Sequence, residues 1–125
     1  MTNTTTIQQT IISTLSEKHN NITIIENSDN LDFINIKDGV LIVYAAWSEQ
    51  SVINCIKTIR TLYERNFGGQ IIIINIDCMS AEFQIEIFGQ VCHGWGEIFI
   101  IHNGKIRSSF LGKNSFNEYN AVVST

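Results

Sequence analysis

The chain has 125 residues, a length that fits one domain and not two ordinary ones, and 44% of them are hydrophobic. That apolar content can fill a core without disulfide or metal staples, while charged residues, at 16%, are too few for a self-repelling disordered chain. A net charge of −4, with eight scattered Lys and Arg, argues against the basic stripe of a nucleic-acid binder.

The longest apolar runs, Val40 to Trp47 and Ile71 to Ile74, fall far short of the ~20 residues a transmembrane helix needs, so no membrane association is expected. The first residues, MTNTTTIQQTIIS, have neither the basic start nor the apolar stretch of a signal peptide, which points to the cytoplasm. Three cysteines, separated by 23 and 14 residues, suit reduced thiols better than a disulfide framework.

In chain order, Ile7, Ile11, Ile12 and Leu15 recur at helical spacing and predict an amphipathic helix over Thr6 to Lys18, ended by Asn20-Asn21. The short β-branched stretch Ile22 to Glu26 predicts a strand. Asn27 to Asn30 reads as a turn and Leu31 to Ile36 as a short helix. Asp38-Gly39 reads as a turn before a strand over Val40 to Ala46, whose unbroken apolar character implies burial on both faces.

Ser48 to Asn66 reads as a long helix, with Val52, Ile56, Ile59 and Tyr63 on one apolar face beside Ile53 and Leu62. Ser48 suits the N-cap because its hydroxyl can accept from an unpaired first-turn amide, and Glu49 favours the positive end of the helix dipole. Gly68-Gly69 is expected to close this helix before a strand over Gln70 to Ile76. A helix over Ser80 to Phe88 follows, with Phe83 and Ile87 on one face.

Strands over Glu97 to His102 and Lys105 to Leu111, joined by Asn103-Gly104, predict a hairpin, because Asn-Gly tolerates the positive φ angles of a type I′ turn. A final helix is expected over Ser115 to Val123. Strand–helix alternation followed by a hairpin implies an α/β fold: parallel strands with right-handed crossovers, a C-terminal antiparallel hairpin, and helices on both faces of one mixed sheet.

The segments VLIVYAAWSEQS, IIIINID, GWGEIFIIHNGK and SSFLG, in this order, resemble the thioredoxin family over roughly Ile22 to Val122. Residues 1–20 then form an N-terminal helical extension on a thioredoxin-like domain spanning 21–125, with about four extra residues between Asp77 and Gly96. The family carries a Trp before a Cys-x-x-Cys motif at the start of a long helix, and a cis-proline before the hairpin strand. Here the two cysteine positions fall on Ser48 and Ser51, the cis-proline position on Gly96 and the family's buried acid on Ile42. A serine cannot form a disulfide and lacks a readily formed thiolate. A trans loop is expected at Gly96, since a cis bond without proline costs about 2.5–4 kcal/mol. The resemblance therefore implies a member without dithiol chemistry.

Other chemistry finds little support in the sequence. Cys55 shares the apolar face of the long helix and reads as a buried structural thiol; Cys78 follows a strand end. Cys92 and His93 are adjacent, which disfavours a mutually facing nucleophile pair. With Cys78 they lack the paired spacing of a zinc site, so neither metal nor cofactor is expected. No Gly-x-Ser-x-Gly elbow or phosphate-binding Gly-x-x-x-x-Gly-Lys loop occurs.

The resemblance implies a peptide-gripping groove at Trp47, Ser48, Glu49, Gln50, Ser51, Trp95, Gly96 and Gly112, with Trp95 the more exposed tryptophan. The expected function is non-catalytic protein binding, as a bacterial immunity protein that neutralises a toxin or as a chaperone-like assembly factor. Two alternatives stay open. One is a single-thiol redox enzyme using Cys92 or Cys55, which needs an accessible thiol of lowered pKa. The other is a homodimer through an exposed sheet edge.

Overall fold

Runs of isoleucine and valine, branched at Cβ and suited to a pleated surface, pair into a five-stranded mixed sheet. The computed structural model describes residues 10, 11, 14, 15, 21–27, 31, 32, 34–112 and 114–123. The strands are β1 (Ile22–Ile25), β2 (Asp38–Tyr44), β3 (Gln70–Asn75), β4 (Trp95–His102) and β5 (Lys105–Phe110), in the order β1-β3-β2-β4-β5. β1 and β2 flank β3 in parallel, and β4 runs antiparallel to both β2 and β5. The helices are α1 (Glu49–Glu64), α2 (Ala81–Phe88) and α3 (Ser115–Val123), with a 3-10 turn over Ile76–Cys78.

The two-residue period of a strand divides the core between the sheet's faces. On one face Val40, Ile42, Ile71, Ile73 and Ile98 pack with Val52, Cys55, Ile59 and Leu62 of α1 and Tyr119 of α3. On the other, Leu41, Val43, Ile72, Ile74, Phe99 and Ile101 pack with Phe83 and Phe88 of α2. Phe88 stacks on Phe99 with ring centroids 4.4 Å apart, and Phe110 meets Tyr119 edge-on at 5.6 Å. The α/β class and the layering implied by the sequence are both present.

Local boundaries differ from the sequence reading where tertiary partners intervene. No helix forms over the described part of Leu31 to Ile36; the Asp32 carboxylate accepts the Ile34 N–H and makes a turn instead. Asp38-Gly39 is not a turn but the start of β2, because Gly39 pairs with Gln70 on one side and Ile101 on the other. The strand ends at Tyr44, and Ala45 and Ala46 are buried beyond it.

Gly68-Gly69 does not stop α1. Asn66 does, with φ at 58°: its N–H bonds the Tyr63 carbonyl and the Phe67 N–H bonds the Leu62 carbonyl, a Schellman closure three residues earlier than Gly69. Asn103 and Gly104 both have positive φ, as a type I′ hairpin requires. Of the helix expected over Thr6 to Lys18, the described positions Thr10, Ile11, Thr14 and Leu15 are helical and Leu15 packs on the core; the remainder lies outside the described residues. So do Ser28, Asp29 and Asn30 of the expected turn.

Candidate functional site

Because β1, β3 and β2 are parallel, their C-terminal ends share one edge, where α1 and α2 begin. The segment after β2 turns at Ala45 to Trp47, with the Ser48 N–H donating to the Ala45 carbonyl at 3.0 Å. The Ser48 hydroxyl accepts from the Ser51 N–H at 3.3 Å and caps α1 as its sequence position implied. Ser51 has no exposed surface; its hydroxyl accepts from the Ala45 N–H at 2.8 Å and ties the helix to the end of β2. Both serine hydroxyls thus satisfy backbone amides.

The start of β4 is held by the side chains of Glu97, Asn54 and Ser115, which the sequence reading did not place at the site. Glu97 is 1% exposed, and its carboxyl oxygens accept from three backbone amides: Gly94 at 3.1 Å, Trp95 at 3.0 Å and Gly112 at 3.2 Å. One side chain therefore fixes the loop ahead of β4 and joins it to the segment after β5. The Asn54 amide donates to the Trp95 carbonyl at 2.9 Å, and the Ser115 hydroxyl donates to the Gly96 carbonyl at 3.0 Å. The sequence signal was present, an acid within the apolar run GWGEIFII, but its amide partners are visible only in the fold.

Gly96 has φ +85°, and every described peptide bond here is trans. A Cβ at Gly96 would stand 3.0 Å from Asn54 Cβ and 3.2 Å from the Ser51 carbonyl oxygen. Positive φ and this contact both select glycine.

The eight residues expected to line a groove come together at this edge but do not share one surface. Trp47, Glu49 and Gln50 are exposed, Ser48, Trp95 and Gly112 are half-buried, and Ser51 and Gly96 are interior. The expected order of the tryptophans is reversed. Trp47 is 59% exposed, its indole N–H directed to Asp77 Oδ1 at 3.4 Å, while Trp95 is partly covered.

Two of the three thiols are buried and the third is half-buried. Cys55 is fully buried, and burial pushes its pKa up to about 12. Cys92 is also buried, against Met79 and Phe99; burial and then the Glu97 charge push it up to about 12. The half-buried Cys78 is raised by burial, then by Asp77 and Glu26. His93 is exposed while neighbouring Cys92 faces the core, so the pair does not form a dyad. Among the described residues no group of three His, Cys, Asp or Glu could hold a metal ion, and no helix is long and apolar enough to cross a membrane.

A separate apolar cleft of about 560 Å³ opens at the opposite end of the sheet, lined by Val40, Leu62, Phe67, Ile100, Phe110 and Val122. None of the expected groove residues borders it.

No protein-family model matches the sequence, and no curated protein does. Solved structures do match. The reduced thioredoxin pre-protein of Schistosoma mansoni aligns at 12% identity with a TM-score of 0.56, covering 82% of this chain and 96% of that one. A chain from a study of the thiol-resolving mechanism of yeast mitochondrial 1-Cys peroxiredoxin via glutathione/thioredoxin systems aligns at 15% identity and TM-score 0.56, covering 86% and 98%. A designed protein reaches a TM-score of 0.61 at 12% identity, covering 81% and 87%. With the strand order above, these likenesses establish a thioredoxin-like fold.

Proposed function

We propose that this chain is a non-catalytic protein-binding domain whose contact face lies at the C-terminal ends of the parallel strands. One observation carries the reading: Trp47 stands 59% exposed directly ahead of two serines whose hydroxyls both serve backbone amides. An exposed aromatic ring is a strong anchor for a protein partner, because it buries a large area at small entropy cost. Two partner roles fit, a toxin to be neutralised and a client in assembly; the small acidic form favours the first.

Trp47→Ala should weaken binding of a stoichiometric partner by about 2 kcal/mol, measured by calorimetry, with little change in melting temperature. Unchanged affinity in that variant would remove the reading. The rival, a redox enzyme working through Cys92 or Cys55, needs a thiolate at neutral pH. With both thiols pushed up to about 12, neither Cys55 nor Cys92 should label rapidly in native protein at neutral pH, and their reactivity should rise only in alkali. A rapidly labelled Cys92 at neutral pH would restore the enzyme reading.

A further inference from the structure

Building on the protein-binding reading, we infer that the Trp47 face takes a basic protein segment, a loop or tail with Lys or Arg flanking an apolar anchor. The anchor site is the exposed indole, which is held toward Asp77 rather than folded onto the core. Beside it, Gly94 lies against Ala45 and Ile76 and so brings the preceding loop to this end, with Val91 40% exposed.

The charge around this apolar spot selects its occupant. Exposed carboxylates arrive from four segments: Glu26 after β1, Glu49 at the start of α1, Asp77 after β3 and Glu82 in the first turn of α2. Glu26 acts on both Tyr44 and Cys78, and Asp77 acts on Cys78, raising their pKa values. Among the described residues no Lys or Arg occurs in segments 21–27, 44–51, 75–82 or 91–96; His93 is the one titratable base there.

Lys37, Arg65 and Lys105 stand instead at the far end, where β2 and β5 begin and α1 finishes. A neutral segment covering the indole would desolvate these carboxylates without pairing them, and an acidic one would meet like charge. A basic segment pairs with them and is steered toward Trp47 on approach. Two copies of this end would repel each other, which disfavours a second copy of the chain as the occupant.

The test is selection of a random dodecapeptide phage library on the immobilised full chain, with counter-selection on Trp47→Ala. Peptides that depend on Trp47 should carry net positive charge. Their affinity should fall roughly tenfold in a Glu49→Gln/Asp77→Asn/Glu82→Gln variant, and comparably between about 0.05 and 0.5 M salt. Asp77→Asn keeps an acceptor for the indole N–H, so the ring position is conserved. Trp47-dependent peptides with no positive charge and no salt dependence would overturn this inference and leave the protein-binding reading standing. Recovery of no Trp47-dependent peptide would overturn both. Self-association by sedimentation, abolished in Trp47→Ala, would assign the face to a second copy and overturn the basic partner.

Discussion

The start of α1 and the start of β4 meet at the same edge of the sheet, yet they hold their shapes by different means. At α1 the work is local: the Ser48 hydroxyl serves an amide three residues on, and Ser51 reaches back six residues to Ala45. At β4 a single buried carboxylate joins amides at Gly94, Trp95 and Gly112, and a glycine at positive φ lets the strand lie against α1. The helix side closes through two hydroxyls that bond amides close to them in sequence, whereas the strand side depends on Glu97, which reaches Gly112 fifteen residues away. The contrast shows that one edge of a sheet can be held by local and by long-range bonds alike, provided each buried amide finds an acceptor.

The comparison is broken hardest by Glu97→Ala, which leaves three amides without their acceptor. An orphaned buried donor costs about 1–3 kcal/mol, and with the Gly94 bond buried and the Trp95 and Gly112 bonds part-buried a loss of about 3 kcal/mol is expected in urea unfolding. Glu97→Gln keeps acceptor oxygen on one side only and should fall between wild type and Glu97→Ala. A Glu97→Ala protein as stable as wild type would mean that the loop is held by Asn54 and Ser115 alone. Next comes Gly96→Ala, which combines a left-handed backbone with a Cβ pressed on Asn54 and the Ser51 carbonyl. About 2 kcal/mol should be lost. Gly96→Pro should lose more, since proline fixes φ near −65° and cannot adopt +85°.

These two sites also mark where the sequence stopped being readable. The apolar runs of β2 and β3, the Asn103-Gly104 turn and the Ser48 cap declare themselves through local periodicity and local hydrogen bonding, and each is present. Asp38-Gly39 looks like a turn in isolation and becomes strand only because Gln70 and Ile101 flank it. Leu31 to Ile36 looks helical until Asp32 competes for the Ile34 amide and the carbonyls of Ile36 and Lys37 accept from the hairpin turn. The role of Glu97 depends on Gly112, fifteen residues away, and no local pattern announces it. The exposures of Trp47 and Trp95 follow from how the turn after β2 and the loop before β4 pack, so their order could not be read in advance.

The two serines give the finest division of the comparison, because they differ in burial on one helix turn. Ser51→Ala removes the acceptor of a buried Ala45 amide and should cost about 2 kcal/mol. Ser48→Ala removes a cap whose 3.3 Å bond is longer than an ordinary N–H···O bond, and should cost about 1 kcal/mol. Equilibrium unfolding of both variants gives the ordering directly. The double variant should lose close to the sum only if the serines act independently. Coupling is expected instead, because Ser48 accepts from the Ser51 backbone N–H while Ser51 fixes Ala45, whose carbonyl in turn accepts from Ser48. A closed ring of three hydrogen bonds should make the second substitution cheaper than the first. Strict additivity would reduce this start of α1 to two unconnected bonds, and would leave Glu97 as the single cooperative element of the site.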